Sequence, residues 1–129
     1  MSAPAVLLFG LEGEKGKAWR ATAERLRIRV RQVSPAEADR PLLELLRADG
    51  GAALSPLAQP LREPMLVMAG FSRELMDAYL AAARATGAQR LDLKAVLTPT
   101  NASWTGRQLQ RELSAERDAF AAKEQAHRP

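Results

Sequence analysis

The chain has 129 residues, of which 47% are hydrophobic and 26% are charged, as expected for one globular domain with one buried core. It contains no cysteine, and its one histidine is His127, which excludes disulfides, thiolate or histidine metal clusters and a Ser/His/Asp triad. The net charge of +4 favours anionic partners.

The first part of the chain predicts a strand, a helix and a second strand. Residues 5–9 are apolar and end at Gly10, as a buried strand would. A helix is predicted next, because apolar residues recur at helical spacing from Trp19 to Leu26. A period of two then predicts an edge strand with one solvated face. Its alternating residues are Leu26, Ile28 and Val30 against Arg25, Arg27, Arg29 and Arg31.

Residues 35–64 predict a connecting region rather than a further repeat of strand and helix. Pro41 precedes four leucines within residues 42–46, which predicts a short helix ending near Gly50. Residues 50–63 contain Pro56 and Pro60 without periodicity and are interpreted as a loop.

The second part predicts the same elements in the same order. Residues 65–68 form an apolar strand, and Ser72 caps a helix that Gly87 stops. Residues 91–97 predict another strand. Thr105 and Gln108 form a capping box for a last helix that extends through Phe120, with a frayed tail from about residue 122.

This alternation predicts one α/β domain over residues 1–129. Residues 5–9 and 65–68 are apolar on both faces and should be the central strands. We expect a small three-layer sandwich with a mainly parallel sheet in the order 2-1-3-4 and helices on both faces. A ferredoxin-like α+β order, 4-1-3-2, is the alternative, because it also places both apolar strands centrally.

The glycine-rich turn at residues 10–17 resembles a phosphate loop but lacks its pattern. Leu11 stands where a Walker A loop needs glycine, and Ala18 stands where it needs serine or threonine. Glu12 and Glu14 would also repel a phosphate. We therefore interpret this segment as a turn and predict no nucleotide, cofactor or metal site.

Residues 94–105 carry the strongest signal for a binding site. Lys94 interrupts an apolar strand, and a buried lysine would need a partner or a ligand. Polar side chains follow before a helix begins, and in parallel α/β sheets ligands gather at the carboxyl ends of strands. The predicted ligand-binding residues are Lys94, Thr98, Thr100, Asn101, Trp104 and Thr105.

The same segment resembles an uncharacterised bacterial family of short proteins with a domain of unknown function. The strings that carry the resemblance are Pro64-Met-Leu-Val-Met-Ala-Gly70-Phe71-Ser72, Leu93-Lys94-Ala-Val-Leu-Thr-Pro-Thr-Asn101 and Trp104-Thr105. The resemblance implies that residues 93–105 are the family's defining feature, and it implies no activity.

Three functional hypotheses follow. The first is a non-enzymatic cytoplasmic module that binds a small anion or a protein partner through residues 98–105; the N-terminus lacks a signal peptide, and no apolar run reaches the ~20 residues that span a bilayer. The second is nucleic-acid binding through Arg27, Arg29 and Arg31 on the edge strand. The third is a weakly active enzyme that uses Asp92 and Lys94, which share one face of an extended strand.

Overall fold

A four-stranded sheet forms the centre of the computed structural model, which describes residues 3–47 and 61–126. The strands are β1 (Ala5–Phe9), β2 (Arg29–Val33), β3 (Met65–Ala69) and β4 (Leu93–Val96). The helices are α1 (Lys17–Arg25), α2 (Leu42–Arg47), α3 (Arg73–Ala85) and α4 (Gly106–Ala126). The strand order β2-β1-β3-β4 confirms the predicted α/β class and order, and the ferredoxin-like order is wrong.

The sheet is mixed in direction. β1 runs parallel to β2, and β3 runs parallel to β4, but the central strands β1 and β3 are antiparallel. Each parallel pair is joined through a helix, as parallel strands require. Because β1 and β3 are apolar on both faces, either direction of their pairing buries the same side chains. The carboxyl ends of β1 and β2 therefore point in one direction along the strands, and those of β3 and β4 point in the opposite direction.

Alternate residues of β1 and β3 pack into two separate hydrophobic clusters. Val6 and Leu8 belong to a cluster that contains residues of α1 and α3, whereas Leu7 and Phe9 belong to one that contains residues of α2 and α4. All residues of β1 and β3 are buried. This burial on both sides explains why their sequences are continuous apolar runs rather than alternating patterns.

The chain contains two copies of one βαβα unit, which we call the first unit (residues 5–47) and the second unit (residues 65–126). Gly10 and Gly70 follow β1 and β3 with φ angles of 69° and 72°. At the end of the next helix, Arg27 and Gly87 both take positive φ angles, 58° and 84°. The backbone therefore repeats even where the residues differ.

Hydrogen bonds at the ends of the parallel strands repeat in the same way. The Ser34 amide donates to Oε1 of Glu37 (3.2 Å) in the first unit. The Thr98 amide donates to Oδ1 of Asn101 (2.9 Å) in the second. The same order of elements predicted for the two parts of the sequence is thus a repeated structure. The two units are related by an approximate two-fold axis between β1 and β3.

Equivalent residues meet where the two units pack together. Trp19 of α1 and Tyr79 of α3 occupy matching positions, with ring centroids 5.6 Å apart. The Tyr79 hydroxyl donates to the Trp19 carbonyl (3.0 Å), and burial raises the pKa of Tyr79 well above its usual value. On the other face, Pro41 and Thr105 form an antiparallel bridge. Each unit therefore completes the core of the other.

Three predicted elements have different boundaries in the structure, and one of them is β4, which was expected over residues 91–97 and spans Leu93–Val96. β2 begins at Arg29, because Leu26 caps α1 and Arg27 adopts a left-handed turn. The period of two upstream of Arg29 is therefore not a strand. α4 continues to Ala126, beyond the predicted start of the frayed tail, and Phe120 is 64% exposed. The expected loop at residues 50–63 lies mainly outside the described residues.

Candidate anion-binding cleft

Asn101 holds the loop that follows β4 in shape. Its side chain is largely buried, and its Oδ1 accepts the Thr98 amide (2.9 Å). Its Nδ2 donates to the Val96 carbonyl (3.1 Å), and its own amide donates to Oγ1 of Thr98 (3.2 Å). Both ends of the Asn101 amide group are thus used within the loop itself.

Trp104 and Thr105 attach the loop to α4. Trp104 packs against the cluster that contains residues of α2 and α4, and Oγ1 of Thr105 accepts the Gln108 amide (3.0 Å) as a helix cap. Thr100 is exposed, and so is most of Thr98. The structure therefore brings Thr98, Thr100, Asn101, Trp104 and Thr105 together, with most of their polar groups bonded to neighbouring backbone.

Lys94 lies apart from that loop. It is in register with Leu66, whose side chain belongs to the cluster on the α1 and α3 face, whereas Trp104 packs on the opposite face. β4 is an edge strand, and the Lys94 side chain is exposed rather than buried. Lys94 is therefore not a buried lysine, and burial does not require it to have a partner or a ligand.

Lys94 instead lines a surface cleft of about 440 Å³ between α3, β4 and the segment that connects them. This volume is within the usual range for small-molecule sites. Apolar side chains and cationic side chains both contribute to the cleft. The lining residues are Trp19, Leu80, Arg84, Ala88, Gln89, Arg90, Leu91 and Lys94.

The charge of the cleft is positive. Arg84, Arg90 and Lys94 are cations, and none of the described residues that line the cleft is a carboxylate. Arg90 lies 4.0 Å from Asp92, which also contacts Arg117 of α4 at 3.6 Å. Within residues 3–47 and 61–126, no carboxylate forms an ion pair with Arg84 or Lys94. The pairing of Asp92 with Lys94 that an acid/base site would use is not seen among these contacts.

The first unit provides an internal comparison. Ile28 and Ala88 donate equivalent backbone bonds to Ala23 and Ala83 (2.8 and 2.9 Å), which fixes the alignment of the two units here. By this alignment, the first unit has Glu24 at the position of Arg84 and Val30 at the position of Lys94, and residues 89–92 have no counterpart. The fold therefore does not require cations at these positions.

The arginines of the first unit have a different environment. Arg29 donates to the Leu46 carbonyl, and Arg31 donates to the Leu45 carbonyl (3.3 Å) and to the Glu37 carboxylate. They thus bind the last turn of α2, where cations stabilise a helix. Of the three predicted nucleic-acid-binding residues, Arg27 and Arg29 are exposed and Arg31 is partly buried, and Arg27 lies in the turn before β2.

Glu37 is buried in this cluster. Burial by itself would raise its pKa, but hydrogen bonds from the Ser34 amide, Arg31 and the Ser34 hydroxyl outweigh burial and leave the pKa below the usual value. The Arg31 side chain is 13% exposed and that of Glu37 is 6% exposed. This pair is therefore part of the internal structure of the first unit.

In the glycine-rich turn, backbone carbonyl oxygens face the guanidinium group of Arg20. Arg20 donates to the carbonyls of Leu11 (2.8 Å) and Gly13 (2.6 Å). A Cβ atom at Gly16 would lie 2.0 Å from the Leu11 oxygen, so glycine is required there for close backbone approach. A phosphate loop has the opposite polarity, with amides around an anion.

A larger cleft of about 610 Å³ lies along α4, but it carries charges of both signs. Its Arg117 binds Glu63 through two nitrogens, one at 2.7 Å, and the hydrogen bond from Arg117 lowers the pKa of Glu63. Arg107, also in this cleft, pairs with Asp39 at 2.8 Å.

No described helix is long and apolar enough to cross a membrane. Among the described residues, no group of three or more histidine, cysteine or acidic side chains is placed to hold a metal.

A family described as a domain of unknown function, DUF3783, matches residues 64–120. The chain is similar to that family over most of the second unit, which confirms the resemblance to an uncharacterised domain family. No curated protein and no solved structure matches the chain. The matched range includes every lining residue of the cleft except Trp19, which the first unit supplies.

The sequence pattern identified Lys94 but missed Arg84, Arg90 and Trp19. Arginines on an amphipathic helix and in a polar turn are typical of solvated surface, and Trp19 occupies a core position of α1. The fold brings these residues, which lie on α1, on α3 and in the segment before β4, to the lining of one cleft with Lys94.

Proposed function

We propose that the protein is a cytoplasmic binding module that holds a small anionic ligand in the cleft lined by Arg84, Arg90 and Lys94. The observation that carries this proposal is that three cations and several apolar side chains line one cleft, and that no described lining residue is a carboxylate. Clefts that combine apolar walls with a few convergent polar groups are the usual form of small-molecule sites.

The residue types in the cleft suit an anion. Arginine presents a planar set of donors that matches carboxylate and phosphate oxygens, and lysine adds a mobile point charge. Leu80 and Leu91 add apolar surface to the lining of the cleft. An anion bound here would offset the mutual repulsion of the three cations.

The difference between the two units supports a specific role for these charges. Glu24 and Val30 stand at the matching positions of the first unit, whose backbone repeats on either side of residues 89–92. If Arg84 and Lys94 were needed only for folding, the first unit would need similar residues. The proposal does not include residues 98–105, whose observed contacts attach α4 to the sheet.

The test is isothermal titration of the full chain with inorganic phosphate at low salt. The wild type should bind, and a triple variant, Arg84→Gln, Arg90→Gln, Lys94→Gln, should bind at least tenfold more weakly. The matched control is Arg73→Gln, because Arg73 is exposed on α3 but does not line the cleft.

Nuclear magnetic resonance supplies a site-specific measurement. Trp19 donates its indole N–H to the Gln89 carbonyl beside the cleft (3.1 Å), whereas Trp104 lies on the other face of the sheet. Phosphate should shift the Trp19 indole signal and leave that of Trp104 unchanged. Absence of binding, or equal binding by the triple variant, would contradict the proposal.

A further inference from the structure

We infer that the cleft selects a small organic phosphate monoester, in which a dianionic phosphate is attached to an apolar body. This inference rests on the proposed function, because it specifies the ligand of the same cleft. It depends on the number of charges, on the apolar floor and on the contribution of both units to the cleft.

The charge of the cleft favours a dianion. Three cations line it, and a neighbouring carboxylate, Asp92, lies near Arg90 and is also shared with Arg117. A monocarboxylate would leave most of this positive charge uncompensated. A phosphate monoester carries close to two negative charges near neutral pH and offers three oxygens, enough acceptors for Arg84 and Lys94 together.

The floor of the cleft favours an apolar body next to the phosphate. Trp19, Leu80 and Leu91 line it, and the cleft volume of about 440 Å³ is far larger than an inorganic phosphate ion. Removing apolar ligand surface from water gains roughly 25 cal/mol per Å². An ester with a ring or short alkyl group should therefore bind more tightly than inorganic phosphate.

Both units contribute apolar residues to the lining of the cleft. Trp19 belongs to α1, and the other lining residues belong to the second unit. Trp19 is held by Gln89 through its indole N–H and by Tyr79 through its carbonyl. The matched family range contains the cations but not this tryptophan. Recognition of the apolar body is thus a property of the two-unit chain.

The experiment compares phenyl phosphate, inorganic phosphate, benzoate and succinate by titration of the full chain. Phenyl phosphate should bind about tenfold more tightly than inorganic phosphate, which corresponds to about half of a phenyl ring removed from water. The variant Leu80→Ala should lower the affinity for phenyl phosphate severalfold more than the affinity for inorganic phosphate, because Leu80 contributes apolar surface and carries no charge. Benzoate and succinate should bind at least tenfold more weakly than phenyl phosphate.

Each alternative result has a distinct meaning. Binding of inorganic phosphate and phenyl phosphate with equal affinity would overturn the inference and leave the proposed function intact. Benzoate or succinate binding as tightly as phenyl phosphate would overturn the assignment to phosphate. A phosphotyrosine pentapeptide binding more than tenfold tighter than phenyl phosphate would show that the source is a protein and not a small molecule. Absence of binding by every anion would overturn both proposals.

Discussion

Replacing Asn101 with alanine should destabilise the protein without any ligand present. The substitution removes the partners of the Thr98 amide and the Val96 carbonyl, which lie 2.9 and 3.1 Å from the Asn101 side chain. A buried polar group left without a partner costs about 1–3 kcal/mol. Because Thr98 and Val96 are partly solvated, water replaces some of this loss. We expect a decrease of about 2 kcal/mol in the free energy of unfolding.

The assay is urea denaturation followed by circular dichroism, with the midpoint compared at constant slope. The matched control is Thr100→Ala, because Thr100 is exposed in the same loop and should change stability by less than about 0.5 kcal/mol. Asn101→Asp keeps the shape but puts an acceptor where Val96 needs a donor, so it should also destabilise. A loss below about 0.5 kcal/mol for Asn101→Ala would refute the structural role of this side chain.

Three further predictions concern the core and the turns. Because the pKa of Glu37 is lowered in the folded state, its ionised form contributes stability that falls as the pH drops below the ordinary pKa of a glutamate, and Glu37→Gln should flatten that acidic part of a stability–pH curve. Gly16→Ala places a Cβ atom 2.0 Å from the Leu11 oxygen, so it should lower the free energy of unfolding by at least ~2 kcal/mol in urea denaturation; an unchanged midpoint would contradict the turn geometry. Tyr79→Phe removes the bond to the Trp19 carbonyl and should lower the thermal midpoint by about 3–5 °C, equivalent to about 1 kcal/mol, whereas an increase would show that the hydroxyl is unsatisfied.

The central strands could be predicted because burial on two faces produces a direct sequence signal. β1 and β3 are continuous apolar runs of five residues each. Their antiparallel direction could not be predicted, because the direction depends on how two completed units pack and leaves no periodic trace in either strand. The predicted start of β2 is wrong because the apolar residues upstream of Arg29 do not belong to a strand. Leu26 is the cap of α1, and Ile28 is a core residue.

The candidate site could be predicted only in part. Lys94 was found because a charge within an apolar strand is unusual, but the interpretation placed it with Asn101 on one ligand-binding loop. Asn101 bonds to the backbone of its own loop, and sequence does not show which backbone groups need a partner. Arg84 and Arg90 resemble ordinary surface residues, so only their position beside Lys94 distinguishes them.

The repeated unit also has a consequence for how the chain folds. Within each unit the parallel strands are joined through a single helix, so these pairings are local in sequence, whereas the pairing of Ala5 with Ala69 joins distant segments. Most of the loop-closure entropy therefore falls on the step in which the two units dock.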